Sequence, residues 1–328
     1  MSYLSIGTIL KRASKELSNQ GVETPDLDAR VLLEAAISKD APFIFSHPQM
    51  PMTNADYSRF RRYIRRRKTG EPVAYILGHK EFYGLDFIVN KNVLIPRPET
   101  ELLVETALDR IKNYESRINE KRQETNSHKL IIHNSKFIIL DVGTGSGCIA
   151  VSIAKSLSTL HSLLSTNIYA TDISSRALTV AKKNAEKHGV KGSISFYNSD
   201  LLSNKRLPRK FDLVIANLPY VPQTHQEIAI LSMAEGPDKV GVNSRRKSPI
   251  DFEPQEAIFA GENGTTIIKR FLSEVRDRIN PGGIILAELD PRNATELFNT
   301  AKQIFSDRKV DLHKDLASLD RFLSICSN

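Results

Sequence analysis

Residues 137–150 read FIILDVGTGSGCIA. An apolar, β-branched run ends at Asp141 and Val142, glycines follow at 143, 145 and 147, and an apolar helical pattern opens at Cys148. Strand, glycine turn and helix in that order make the entry unit of a doubly wound α/β sheet. Glycine lets the backbone turn sharply and lie against a ligand that a Cβ would obstruct. The spacing is GxGxG. The GxGxxG of dinucleotide sites is missing, which argues against a NAD-dependent oxidoreductase, and so is the lysine of GxxxxGK[ST], which argues against a nucleotide triphosphatase. An acid at 141 suits a methionine ammonium better than a pyrophosphate.

Downstream the unit repeats. Residues 167–173 (NIYATDI) predict a strand and 174–189 a helix stopped by Gly189, a suitable C-cap. Residues 194–202 and 211–220 predict further strands, and 261–280 a helix halted by Pro281-Gly282-Gly283. A strand over 282–289, a helix over 292–305 and closing strands over 310–316 and 321–327 complete the pattern. Such alternation predicts a mostly parallel sheet with helices on both faces. Residues 231–250 read as a loop with a basic cluster.

Upstream, residues 2–45 have helical periodicity, with Pro25-Asp26 at a helix start, and 54–68 predict a second, arginine-rich helix. That helix carries either a solvated face or a patch facing RNA or the ribosome, with the solvated face the favoured reading. Residues 73–89, rich in aromatic and β-branched residues and broken at Gly78 and Gly84, predict a β-hairpin. Pro96 and Pro98 block a helix that Glu99 to Ile111 then supplies, and 113–135 read as a helix end followed by a surface loop. The expected division is a helical domain over 1–72, a hairpin connector over 73–92 and a catalytic domain over 93–328.

The 328 residues suffice for a catalytic domain and a smaller one, and the 40% apolar fraction suits a sizeable core. No stretch approaches the ~20 apolar residues of a membrane span, and the first residues lack a secretory h-region. Two cysteines, Cys148 and Cys326, without a CxxC, argue against a disulfide scaffold or zinc site and fit a reducing, cytoplasmic setting. The net charge of +8 fits work near RNA or another acidic surface, and equally a lysine-rich composition spread over solvated helices.

Three further strand ends carry chemistry. Asp172, ending YATD, can accept from both ribose hydroxyls of a nucleoside cofactor, or else cap the next helix. Asp200 can accept from an adenine amine, with Leu201 on the ring, or serve only the turn. Asn217-Leu218-Pro219-Tyr220 offers a carboxamide that both donates and accepts, a chain held extended by proline, and a flat aromatic face. Together they suit a planar nitrogen bearing two hydrogens, an amide or an aromatic amine. His79 and His225 read as surface or turn histidines, not bases.

DVGTGSG, Asp172 and NLPY resemble the N-methyltransferases that act on amides and aromatic amines. GEPVAYILGHKEFYGLDF (70–87), IPRPETE (95–101) and EPQEAIFAGENG (253–264) narrow the resemblance to the peptide chain release factor glutamine N5-methyltransferases, over nearly the whole chain. The departures are Leu218, where that family usually has proline, AELDPRN in place of its glycine-rich wording, and longer loops at 113–135 and 231–250. The resemblance implies a seven-stranded methyltransferase sheet, S-adenosyl-L-methionine as cofactor, and no metal. It implies class I release factors as partners, no stable nucleic-acid complex, no membrane, and a monomer. It places Gly143, Thr144, Gly145, Ser146, Gly147, Asp172, Asp200, Leu201 and Asn217 at the cofactor. Arg97, Pro98 and Glu99 fall beside the substrate with Asn217, Leu218, Pro219 and Tyr220, which carry the transfer. The alternatives are an adenine methyltransferase of RNA or DNA, since NLPY is also used by ribosomal RNA adenine dimethyltransferases, and a methyltransferase-like module that binds without transferring.

Overall fold

The computed structural model describes residues 5–125, 136–159, 165–222, 248–261 and 263–327. The expectation for residues 231–250 and for His225 therefore falls mostly outside the described residues. Contacts divide the chain into two compact units, residues 1–79 with 236–253, and 80–235 with 254–328.

In the first unit the helical stretch is broken into α1 (Ile6–Ser18), α2 (Pro25–Ile37) and α3 (Ala41–Ser46), followed by α4 (Asn54–Lys68) and α5 (Val73–Leu77). The breaks fall where the backbone turns left-handed, at Gly21 and Ser38. Pro25 takes the first helical position of α2, where its missing N–H costs nothing. Ile6, Leu17, Leu32, Leu33, Phe60 and Ile64 form the core. Several arginines of α4 are spent inside this unit. Arg61 meets Glu16 at 2.6 Å, Arg66 grips Glu71 with two nitrogens at 2.5 and 2.7 Å, and the buried Arg67 meets the buried Asp28 at 2.7 Å. Arg67 also donates to the carbonyls of Gly70 and Glu71, so its charge is satisfied without solvent.

Residues 73–77 depart from the hairpin expected over 73–89. Val73 to Leu77 form the short helix α5, closed by Gly78 in the left-handed region. The strands are only β1 (His79–Phe82) and β2 (Leu85–Ile88). Val73 and Leu77 pack against the helical core, and this burial overrides their β preference.

The second unit holds a seven-stranded sheet of order β5-β4-β3-β6-β7-β9-β8. Its strands are β3 (Lys136–Val142), β4 (Ser165–Asp172), β5 (Ile194–Asn198), β6 (Phe211–Ala216), β7 (Ile279–Glu288), β8 (Arg308–Lys314) and β9 (Asp320–Ser327). β3 to β7 pair parallel, and β9 runs antiparallel between β7 and β8. Alternate residues of β3 and β6 enter two cores. Ile139, Leu213 and Ile215 join α6 (Glu101–Thr125) and α7 (Cys148–Thr159), while Leu140, Val142 and Val214 join α9 (Thr266–Val275) and α10 (Ala294–Ile304). α8 (Ser175–Lys187) packs beside α7. This is the doubly wound architecture that the alternating pattern predicts.

The helix expected over 261–280 is shorter, and Pro281-Gly282-Gly283 does not stop it. β7 already begins at Ile279, and these residues bulge within it: Phe211 pairs Ile279, yet Leu213 pairs Ile284. Gly282 supplies the left-handed φ of 78°, and the Asp212 carboxylate secures the bulge by accepting from Asn280 Nδ2 and the Ile138 N–H, each at 2.8 Å.

Candidate active site

The strand order reverses at β3, with β4 on one side and β6 on the other. The carboxyl ends of strands diverge at such a point and leave a crevice. A cavity of about 320 Å³ lies there, walled by Gly143 to Ser146, Asp172, Asp200, Leu201, Asn217, Leu218 and Pro219, with Arg97 and Thr100 at another side. Pro254, Glu256, Ala257 and Phe259 also border it. The segments 95–101 and 253–264, far apart in sequence, thus meet at one cavity.

The loop after β3 is built tightly. Gly143, Gly145 and Gly147 all have positive φ. A Cβ on Gly143 would lie 3.0 Å from Leu218 Cδ2, and one on Gly147 would lie 3.1 Å from the Ala181 Cβ of α8. Bare backbone at 143 therefore keeps the cavity open beside the residues after β6. Thr144 N–H donates to the Thr171 carbonyl, and Gly145 N–H to Asp172 Oδ2, both at 2.8 Å. The second Asp172 oxygen accepts from the Ser174 N–H at 2.8 Å. The cap of α8 is Ser174, whose hydroxyl accepts from the Ala177 N–H, so Asp172 is left to face the cavity. Burial pushes the Asp172 carboxyl above the usual carboxylate range, and its two backbone donors draw it back.

Asp141, which the sequence reading sets toward a methionine ammonium, is buried. Its Oδ2 accepts from the Thr144 hydroxyl at 2.6 Å and from the Ala150 N–H at 3.3 Å, and its Oδ1 has no hydrogen-bond partner among the described residues. It ties the glycine loop to the start of α7, and burial raises its pKa to about 7. Asp200 and Leu201 are at the wall, with the Asp200 carboxylate paired to Arg270. Gly147, Glu99 and Tyr220 lie outside the wall; Glu99 is 3.8 Å from Arg321.

At the end of β6, Asn217 Nδ2 donates to the Thr100 hydroxyl at 3.0 Å. Near Thr100 and Tyr220 lies Glu288, a carboxyl only 3% exposed at the end of β7, whose Oε2 has no hydrogen-bond partner among the described residues. Burial lifts Glu288 to about 7 and, together with Glu288 itself, lifts the Tyr220 hydroxyl far above its ordinary value. Sequence reasoning passes over both Thr100 and Glu288. The available signal was the one that marks Asp172, an acid closing an apolar strand, here GGIILAE.

Tyr220 is also fixed from behind. Asn293 Nδ2 donates to its carbonyl at 3.4 Å, and the next residue, Val221, exchanges backbone bonds with Ile258 and Ala260, each at 3.0 Å. Gly264 has φ +70°, and a Cβ there would overlap the Tyr220 carbonyl oxygen. Gly264→Ala should shift this strand end and lower turnover by about 10²-fold, the scale of a small misplacement near the chemistry. Steady-state kinetics of a variant with a native circular dichroism spectrum would check it.

Comparison with known proteins agrees with this geometry. Residues 133–316 match a family described as a methyltransferase domain, and residues 8–78 match the PrmC N-terminal domain. The release factor glutamine methyltransferase of Koribacter versatilis is 36% identical, over 84% of this chain and 83% of its own length. The one from Rhodopirellula baltica is 35% identical, over 93% and 90%.

The chain belongs to the release factor glutamine methyltransferase family.

The bifunctional methyltransferase of Rickettsia bellii is 33% identical over 99% of this chain, which spans 55% of that longer protein. Among solved structures, the hMettl16 catalytic domain in complex with the MAT2A 3'UTR hairpin 6 matches at a TM-score of 0.51. It has 16% identity and covers 74% of this chain and 76% of that one, a likeness of fold alone. The methyl donor of this class of enzyme is S-adenosylmethionine. The site suits it: a glycine loop that a Cβ would close, a carboxylate at the end of β4, and a cavity within the usual size range of ligand sites.

Proposed function

We propose that this chain methylates the side-chain amide nitrogen (N5) of the glutamine in the GGQ loop of a class I peptide chain release factor. The observation that carries the reading is Asn217 at the cavity wall with its Nδ2 committed to Thr100, which leaves Oδ1 as the atom for a ligand. The kinship with release factor glutamine methyltransferases supplies the substrate class.

Bound S-adenosylmethionine supplies an electrophilic methyl group on a sulfonium. Gly143 to Ser146 would hold it at the glycine loop, Asp172 would accept from its ribose hydroxyls, and Asp200 and Leu201 would border the adenine. An amide nitrogen is a poor nucleophile because its lone pair is delocalised. Asn217 Oδ1 and the Leu218 carbonyl accept its two hydrogens and turn the lone pair toward the methyl group. A backbone carbonyl is indifferent to the side chain it precedes, so leucine at 218 keeps this role while Pro219 holds the chain extended. Positioning and local electrostatics carry the rate. On transfer a nitrogen–carbon bond would form as the sulfur–carbon bond breaks, the sulfonium would leave as a neutral thioether, and the nitrogen would lose a proton to solvent.

Residues 1–72, in this reading, recognise the release factor, residues 73–92 connect, and residues 93–328 catalyse. The internal use of Arg61, Arg66 and Arg67 supports a chain that forms no stable nucleic-acid complex. No helix among the described residues is long and apolar enough to cross a membrane. We place the enzyme in the cytoplasm as a monomer. Incubation with radiolabelled S-adenosylmethionine and purified release factor, followed by peptide mapping, should put label on the GGQ glutamine. Label confined to RNA or to another residue would overturn the assignment.

A further inference from the structure

α8 meets the glycine loop well beyond its first turn. Ala181 packs so closely on Gly147 that a Cβ there would lie 3.1 Å from its own. Three residues further along the same helix face is Asn184, fully buried at 0% exposure. Both N–H donors and the oxygen of its carboxamide are engaged. Nδ2 donates to the Ser146 carbonyl at 2.8 Å and to the Ile88 carbonyl at 3.0 Å, and Oδ1 accepts from the Ile88 N–H at 2.7 Å. A carboxamide carries two N–H donors, and here each goes to a different segment of the chain.

We propose that Asn184 is a positioning residue for S-adenosylmethionine binding: it fixes the glycine loop relative to a second part of the cavity wall. Ser146 belongs to the loop and lines the cavity. Ile88 ends β2, and soon after it Asn92, Val93, Leu94, Pro96 and Arg97 line the cavity as well. The link between them is short and turns on itself. Asn90 Oδ1 accepts from the Asn92 N–H at 2.9 Å, and the Asn90 carbonyl accepts from the Val93 N–H at 3.1 Å. One buried side chain therefore holds two parts of the wall in register. The inference concerns the cofactor and does not depend on which nitrogen is methylated.

Two neighbours of Asn184 also seat β2 on the end of α8. Lys187 Nζ meets Asp86 Oδ2 at 2.6 Å, and His188 Nε2 lies 3.1 Å from the Asp86 carbonyl. The His188 ring packs on Phe87 with centroids 5.2 Å apart. These contacts end at the hairpin, whereas the Asn184 amide goes on to the loop. The difference separates two roles. Loosening the hairpin is expected of a change at either Asn184 or His188, but freeing the loop only of a change at Asn184. An apolar side chain of similar size at 184 leaves the carbonyl of Ser146, a residue 2% exposed, without its donor, and an unpaired buried carbonyl draws the loop toward another partner.

The test is calorimetry of the full chain with S-adenosylmethionine, which needs no methyl acceptor. Asn184→Leu should weaken binding by about tenfold to 10²-fold, with KM for the cofactor rising in step and kcat at saturation within about threefold of wild type. His188→Ala, which loosens the hairpin and spares the loop, should keep the affinity within about threefold even where its Tm falls as far. Should Asn184→Leu not fold, Asn184→Asp takes its place with the same expected loss, since it keeps an acceptor for the Ile88 N–H and removes both donors. Amide hydrogen exchange reads the link directly. Saturating S-adenosylmethionine should slow exchange at Ile88 in the wild type and in His188→Ala, and leave it unchanged in the Asn184 variant. Wild-type affinity in an Asn184 variant, equal weakening in His188→Ala, or an Ile88 amide in the wild type that ignores the cofactor would overturn the proposal. The wild-type exchange measurement decides even if neither variant folds. A wild type that methylates no glutamine would count against the substrate reading and leave all of these measurements standing.

Discussion

Asn217→Ala should lower kcat by about 10³-fold while S-adenosylmethionine binds within about threefold of its wild-type affinity. The substitution removes one of two acceptors that orient the attacking nitrogen, and loss of a single preorganised hydrogen-bonding group at a reacting centre costs about 10²–10³-fold. The upper end applies because the loss spreads. Thr100, buried at 1% exposure, loses the donor to its oxygen, and with it the side-chain bond that ties the turn before α6 to the end of β6. The glycine loop and Asp172 are held by separate bonds to β4 and α8, so the cofactor side of the cavity stays in place. Steady-state turnover with release factor, paired with calorimetry, separates the two halves. A variant with near-wild-type kcat would sink the amide-orientation mechanism.

Asp172→Asn should weaken S-adenosylmethionine binding by about 10²-fold or more, with kcat at saturation much less affected. Each Asp172 oxygen already accepts a backbone N–H at 2.8 Å, from Gly145 on one side and Ser174 on the other. An asparagine can match only one of them. Its NH2 group must face the other N–H, donor against donor, and leave a part-buried group unsatisfied at a cost of about 1–3 kcal/mol. If the Gly145 side gives way, the loop that cradles the ligand loses its tie to β4. If the Ser174 side gives way, the entry to α8 shifts. Either way, one of the ribose acceptors is replaced by a donor. Calorimetric titration measures the change directly, and affinity within threefold of wild type would exclude Asp172 from the cofactor site.

The glycine loop, Asp172 and NLPY were legible from sequence because each sits at the end of a strand that announces itself by an apolar run. The sheet was legible for the same reason. Thr100 was not, since nothing marks it inside PRPETE, and Glu288, although it closes an apolar strand as Asp172 does, was passed over. The pairing of β6 with β7 brings Asn217 and Glu288 to neighbouring strand ends, and pairing between strands far apart in the chain leaves no local trace. Asp141 was legible only in part. Its spacing from the glycines is visible in the chain, but strand pleating decides which side of the sheet receives the carboxyl, and nothing in the sequence shows that its Oδ2 ties Thr144 to Ala150. The Pro281-Gly282-Gly283 bulge looked like a helix stop because those residues break either element, and only the Asp212 anchors show which one they shape.

The position of β9 between β7 and β8 constrains the order in which this sheet can assemble. β8 is connected to the rest of the sheet through β9, although it comes earlier in the chain. Residues 308–314 therefore reach the sheet only with Asp320–Ser327, whether β9 has already met β7 or the β8–β9 hairpin docks as one piece. The same β9 carries Arg321, whose charge bears on Glu288. Closing the sheet and bringing the Arg321 charge to Glu288 are thus one event, and a chain stalled before it would have its glycine loop but not the finished surroundings of the β7 end.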